Sequence, residues 1–217
     1  MTEGVNGNEA WPRRRARASA TRAKILHAAS ELFLREGYVA ATMPAIADAA
    51  GVSRATVFNS VGGKADVLKG CYDIAVVGDD IPLPIYARPE MKAMFAEPDP
   101  RATITRYAAI IASIGARVSP IYEVFRAAAG ADPQVRAMWT QIQDERHLGA
   151  TRFAEMFSAK SALPNGLSLS EAADIIWALI DNSLYHRLVI ERSWAADRFE
   201  RWFATTLCTH MLDDQHD

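Results

Sequence analysis

Residues 49–68 read AAGVSRATVFNSVGGKADVL. A Gly51-Val52 turn leads to Ser53, whose hydroxyl can accept a hydrogen bond from a backbone N–H near position 56 and so start a helix. Gly62-Gly63 ends that helix after about two turns, too few for it to be stable alone. Val57 and Val61, four residues apart, give it one apolar edge. Thr56, Asn59 and Ser60, at i, i+3 and i+4, form a different face. Neighbouring elements must therefore hold the segment, and it offers small polar side chains to something outside.

The neighbours lie just upstream. Ile25, Ala28, Ala29, Leu32 and Phe33 follow helical periodicity and make one apolar face. Gly37 is expected to end that helix as a left-handed C′ residue. Thr42 can N-cap a second helix, with Pro44 tolerated in its first turn and Ile46, Ala47 and Ala50 facing inward. Ala47, Gly51 and Val57 then have the spacing of a helix-turn-helix: a small residue for close approach, a glycine for the turn and an apolar seal. The outward face of the second helix of such a pair enters a DNA major groove. Asn59 could there bond an adenine, and a threonine methyl could touch a thymine methyl. Charge agrees with a polyanion partner at this end. Residues 1–70 carry 10 Lys+Arg against 6 Asp+Glu, and residues 71–217 carry 14 against 20.

Residues 21–68 resemble the TetR family of transcriptional regulators. The residues that carry the likeness are Ile25, Ala28-Ala29, Leu32-Phe33, Gly37-Tyr38, Thr42, Ile46-Ala47, Ala50 to Ser53, Thr56 to Phe58, Lys64 and Leu68. They follow a pattern close to GVSxxTxYxxFxxKxxLL, with Phe58 where tyrosine is usual, Val61 where phenylalanine is usual, and Ser60 where histidine or tyrosine is frequent. The resemblance implies DNA contacts from Tyr38, Thr42, Ser53, Arg54, Thr56, Phe58, Asn59, Ser60 and Lys64. Of these, Thr42 serves equally well as a plain N-cap. Phe58 lacks the hydroxyl that a tyrosine would offer to a phosphate, and Ser60 is short. The arm WPRRRAR could make up the difference through Arg14 and Arg15 in particular, or it could be a solvated tail.

Helical periodicity continues beyond residue 70, with expected spans at 88–96, 99–117, 120–130, 133–160, 170–191 and 195–212. The fold expected is all-α: a disordered basic arm (1–20), a three-helix helix-turn-helix DNA-binding domain (21–70), and a larger helical domain for ligand binding and dimerisation (71–217). The resemblance implies a small-molecule effector bound between the central helices. The candidates are Phe95, Tyr107, Tyr122, Phe125, Trp139, Ile142, Arg146, Trp177, Asp181 and Tyr185, an apolar and aromatic set with a few polar groups; at helical spacing such a set is more often plain core than pocket. Asp181 and Tyr185, four apart on the Trp177 face, could fix a polar group, or Asp181 could pair with an arginine. Two stripes, Ile175/Leu179/Asn182-Ser183/His186/Ile190 and Phe199/Trp202-Phe203/Thr206/Met211, are expected to make a homodimer through a four-helix bundle, or to bury against their own chain.

Other classes find little support. The chain has no GxSxG, no HExxH and no Gly-rich phosphate loop, so no enzyme activity is expected. Its five histidines have no ligand spacing, Cys208 and His210 read as plain helix positions, and no metal or cofactor is expected. Two distant cysteines fit a reducing cytoplasm. No membrane segment and no secretory signal are read. The expected protein is a cytoplasmic, homodimeric regulator that binds a palindromic double-stranded operator and is released by a small molecule. The alternative is a helical ligand-binding or scaffold protein without DNA binding.

Overall fold

The computed structural model describes residues 10–79, 83–164 and 166–213. These form ten α-helices, and no strand occurs among the described residues. The chain divides into two compact units, Met1–Ile74 and Ala75–Asp217. Their boundary falls four residues beyond the one read from the sequence, inside a helix.

The first unit holds α1 (Ala10–Ala40), α2 (Met43–Ala49), α3 (Arg54–Ser60) and most of α4 (Lys64–Val77). Residues 10–20, expected as part of a disordered arm, are helical and open α1. Their alternation of Arg and Ala has high helix propensity, which outweighs their charge. Residues 1–9 lie outside the described residues. Gly37 interrupts α1 as anticipated, but at φ 76°, ψ 167° it lies outside the left-handed helical basin, and three more helical residues follow it. Ile25, Leu26, Ala29, Leu32 and Phe33 are buried, whereas Ala28 is half-buried, so the apolar face is centred nearer Leu26 than the periodicity put it. α4 packs closely on this face. A Cβ on Gly70 would lie 2.8 Å from Leu26 Cδ2, and the Cys71 thiol donates to the Leu26 carbonyl at 3.3 Å. Burial pushes that thiol up to about 12, so Cys71 is a core residue and not a reactive one.

The second unit begins with a 3₁₀ turn (Ile85–Ala87). It continues with α5 (Pro89–Ala96), α6 (Pro100–Ala129), α7 (Pro133–Ser158), α8 (Leu169–Leu179), α9 (Asn182–Tyr185), a π-helical stretch (His186–Glu191) and α10 (Ala196–Met211). Prolines open α5, α6 and α7, where a missing N–H costs nothing, and Asp99 and Asp132 cap the latter two. α6 is a single helix across Pro120, where two helices (99–117 and 120–130) were expected. The proline removes one intrahelical bond, but Val118, Ser119, Ile121 and Tyr122 around it are buried, and this packing carries the helix through.

α6 is the centre of this unit and packs against α5, α7, α9 and α10. By length and composition alone it could cross a membrane, but 44% of its most apolar stretch is buried inside the protein, as in a core helix. Its Gly115 lies close against α9. A Cβ there would sit 2.6 Å from Tyr185 Cδ2. The expected helix 170–191 is broken. α8 ends at Leu179, Asp181 accepts a hydrogen bond from the Ser183 N–H, and α9 starts anew. Much of the expected dimer stripe on α10 is core of its own chain: Phe199, Phe203 and Met211 are buried with Leu207. Period and polarity were right there, but a periodic stripe does not say which chain covers it.

Candidate nucleic-acid interface

The helix-turn-helix is built from short-range bonds. Thr42 Oγ1 accepts from the Ala45 N–H at 3.3 Å and starts α2. The Val52 N–H reaches back to the Ala47 carbonyl at 2.9 Å, which closes the turn through Gly51 at φ 60°. That angle costs a residue with a Cβ but not glycine. Ser53 Oγ accepts from the Thr56 N–H at 3.0 Å and starts α3. Ala47 and Val57 are 2% and 0% exposed, as a sealed angle between α2 and α3 requires.

The outward face of α3 differs from the one read in the sequence. Thr56 is half-buried and its hydroxyl shares a hydrogen bond with Ser53 Oγ at 2.8 Å. Ser60 is half-buried, and its carbonyl receives Arg22 Nη1 at 3.5 Å. Asn59 is exposed as expected, and with it stand Arg54, Ala55 and Phe58, at helical spacings of three to five. Choosing Val57 and Val61 as the inner pair put the face about one residue off. Val61 is only half-buried, at a C-terminus already leaving helical geometry. Arg22 was missed altogether, since a lone arginine in a basic stretch carries no positional signal.

The other candidates sit as follows. Tyr38 is buried, its ring stacked on Phe33 at 5.9 Å between centroids, so the ring belongs to the core. Lys64 Nζ lies 4.4 Å above that ring and donates to the Val39 carbonyl at 3.2 Å, which positions the ammonium at the start of α4. Thr42, Ser53 and Arg54 are exposed. Arg14 is exposed on the first turns of α1, and the side chain of Arg15 lies outside the described residues.

In the second unit the ten ligand candidates fall into separate groups. Tyr122, Arg146, Trp177 and Asp181 come together. The Tyr122 hydroxyl donates to Asp181 Oδ2 at 3.0 Å, Arg146 Nη1 to the same oxygen at 3.3 Å, and Arg146 Nη2 to the Trp177 carbonyl at 3.2 Å. Trp139 and Phe125 pack beside Tyr122. Burial pushes the Tyr122 phenol up to about 12 against the lowering pull of Arg146, so it stays a neutral donor. Tyr107 is elsewhere, stacked on Phe153 with 4.0 Å between centroids. Tyr185 packs edge-on to Phe199 at the far end of the short helix that Asp181 caps, away from the Tyr122–Arg146 group. Ile142 is fully buried. Phe95 is half-buried, and its carbonyl is one of three at the end of α5 that accept from Lys160 Nζ.

A cavity of about 470 Å³ opens elsewhere in the same unit, between the end of α4, the 3₁₀ turn and the middle of α6. Its aliphatic walls come from Val76, Val77, Ile85, Ile110 and Ile114, and Asp79, Arg88, Glu90 and Arg117 line it as well. None of the ten candidates does. Arg88 is bidentate to Asp79 at 2.6 and 2.7 Å, and Arg117 donates to the Ala75 and Val76 carbonyls at the end of α4. The sequence signal was present but faint: charges inside a Pro-rich connector, and one arginine in the apolar run of α6.

Three comparisons bear on what carries this interface. Residues 25–71 match the N-terminal domain model described as bacterial regulatory proteins, tetR family. No curated protein matches the chain. Solved structures do. One is a protein from Rhodococcus sp. described as a TetR-family transcriptional regulator (14% identity, 88% of this chain and 98% of that one, TM-score 0.68). Another is NalD, the secondary repressor of the MexAB-OprM multidrug efflux pump in Pseudomonas aeruginosa (19% identity, 90% and 98%, TM-score 0.67). A third is a protein from Saccharomonospora viridis described as a transcriptional regulator, in complex with choline (16% identity, 90% and 99%, TM-score 0.66). At these identities the likeness is one of fold. The sealed helix-turn-helix lies inside the segment that matches the tetR-family N-terminal domain model, and the chain shares its overall fold with these three proteins.

Proposed function

We propose that this protein is a DNA-binding transcriptional regulator of the TetR family, a homodimeric, cytoplasmic repressor that binds a palindromic operator and is released by a small molecule held in its second unit. The observation that carries the DNA reading is the outward face of α3: Arg54, Ala55, Phe58 and Asn59 stand exposed on a helix whose opposite side is locked by Val57. Two such helices in a dimer meet successive major grooves about 34–36 Å apart. Thr42, Ser53, Lys64, Arg14 and Arg15 would contact the backbone around them. Repression agrees with the role of NalD, which has the same fold.

The small-molecule reading is supported by the 470 Å³ cavity, which is within the usual size of ligand pockets. The choline complex of a protein of the same fold supports it too. The Tyr122–Arg146–Asp181 cluster is already satisfied within the chain, so an effector reaching it would have to replace existing bonds. A 100-fold loss of operator affinity on effector binding needs a coupling of roughly 2.7 kcal/mol. Selection of bound fragments from random duplex DNA tests the reading directly. A palindromic site is the expected result, and failure to enrich any sequence would leave a helical ligand-binding protein.

Asn59→Ala is expected to weaken binding to the selected site by about 1–3 kcal/mol, the cost of one lost bidentate base contact. Nonspecific affinity should barely change. Mobility shifts on specific and random duplexes decide this, and equal losses on both would remove Asn59 from the specificity set. For the N-terminal arginines the salt dependence is more informative. Deleting residues 1–18 should lower affinity for all sequences. If two to four phosphate contacts per protomer are lost, the slope of log K against log salt should flatten by roughly 4–7 units for a dimer. An unchanged slope would make the segment a solvated extension.

A further inference from the structure

We infer that Phe58 is a specificity-determining residue that packs its ring on the C5-methyl group of a thymine in the major groove, so that each half-site carries a thymine at a fixed position. The inference rests on the DNA-binding reading of α3.

Phe58 directly follows Val57, the residue that seals the helix-turn-helix, and faces the opposite way. Val57 is fully buried, while Phe58 is 66% exposed. Among the described residues it is the one exposed phenylalanine; the other seven are buried or half-buried. The ring therefore contributes little to the fold. Ala55, three residues earlier on the same side, is exposed and small, which leaves the ring open to approach from outside. The face as a whole presents one cation (Arg54), one amide (Asn59) and two apolar groups.

What this ring can recognise follows from its chemistry. Without a hydroxyl it cannot donate to a phosphate or exchange hydrogen bonds with a base edge. Against a phosphate it would strip water from an anion and return nothing. On the base edges of the major groove the apolar group is the C5-methyl of thymine, and the other bases present donors, acceptors or a bare ring edge at the corresponding positions. A flat hydrocarbon ring on the helix that enters the groove is matched to that methyl. Asn59, the next residue, carries the hydrogen-bonding half of the code, so an adenine and a thymine are expected close together in each half-site.

The test exchanges single thymines of the selected site for deoxyuridine, which removes the methyl group and leaves the base-pairing and hydrogen-bonding edges intact. At one position per half-site the exchange should weaken binding of the full-length protein about fourfold, the effect of burying one methyl group, and about 15-fold when made in both halves. Phe58→Ala should bind thymine and uracil duplexes equally and select sites degenerate at that position. Phe58→Tyr keeps the ring and should keep the discrimination. Wild-type affinity that ignores the exchange at every position would overturn this assignment alone, as would a half-site without thymine or a Phe58→Ala protein that still discriminates. Failure to select any site would overturn the DNA-binding reading, and this assignment with it.

Discussion

Gly115→Ala is expected to destabilise the second unit by about 2–3 kcal/mol, the cost of overpacking a well-filled core. The sign is opposite to the general rule, since glycine to alanine inside a helix normally gains about 1 kcal/mol. Geometry decides between the two effects. The new Cβ would lie 2.6 Å from Cδ2, 2.7 Å from Cγ and 3.0 Å from Cβ of Tyr185. The last of these is the root of the side chain, so a rotamer change does not relieve it and α9 itself must move. Tyr185 is 4% exposed and held edge-on by Phe199 at 4.9 Å, which leaves the ring nowhere to go. Urea unfolding should show a lower midpoint with an unchanged slope. Combining the change with Tyr185→Leu should cost less than the sum of the two single changes. A neutral or stabilised Gly115→Ala protein would show that α6 and α9 have slack at this contact.

Ile190→Arg is expected to yield a monomer and to lower affinity for a palindromic site by about 10²–10⁴-fold, the advantage of two linked half-sites over one. Ile190 is 52% exposed on the π-helical stretch, whereas most of the other apolar residues proposed for the dimer are wholly or half covered by their own chain. Trp202 is a poorer target, because it packs on Trp194 and Phe199, and its loss would disturb the protomer itself. Sedimentation together with mobility shifts reads both effects. A variant that stays dimeric and binds unimpaired would place the subunit contact elsewhere.

The parts of this molecule legible in the sequence are those set by local chemistry. The caps Thr42 and Ser53, the turn glycine Gly51 and the seal Val57 act within a few residues of themselves, and each can be read from its neighbours. α2, α3 and α7 follow for the same reason. The parts that were not legible depend on tertiary packing. Pro120 reads as a helix end, and only the burial of Val118, Ile121 and Tyr122 shows that α6 continues. Asp181 reads as one more position on a long helix, yet its carboxylate caps a new one. For the interface, the helix was identifiable, but which of its side chains point outward depended on the angle at which α1 and α2 receive it. That angle exchanged Thr56 and Ser60 for Ala55 and Phe58. The cavity was hidden for a further reason: its walls come from segments about 30 residues apart, none of them unusual alone.

The carboxylate of Asp181 ties together segments that leave the ribosome at different times. Its partners Arg146 and Tyr122 precede it by 35 and 59 residues. At about 5–20 residues per second, Arg146 is made roughly 2–7 s before its acidic partner. During that interval the Arg146 guanidinium faces what will become the interior without its counter-ion. An α6–α7 pair that closed before α8 and α9 had emerged would enclose that charge without its carboxylate, which disfavours early closure around the apolar residues.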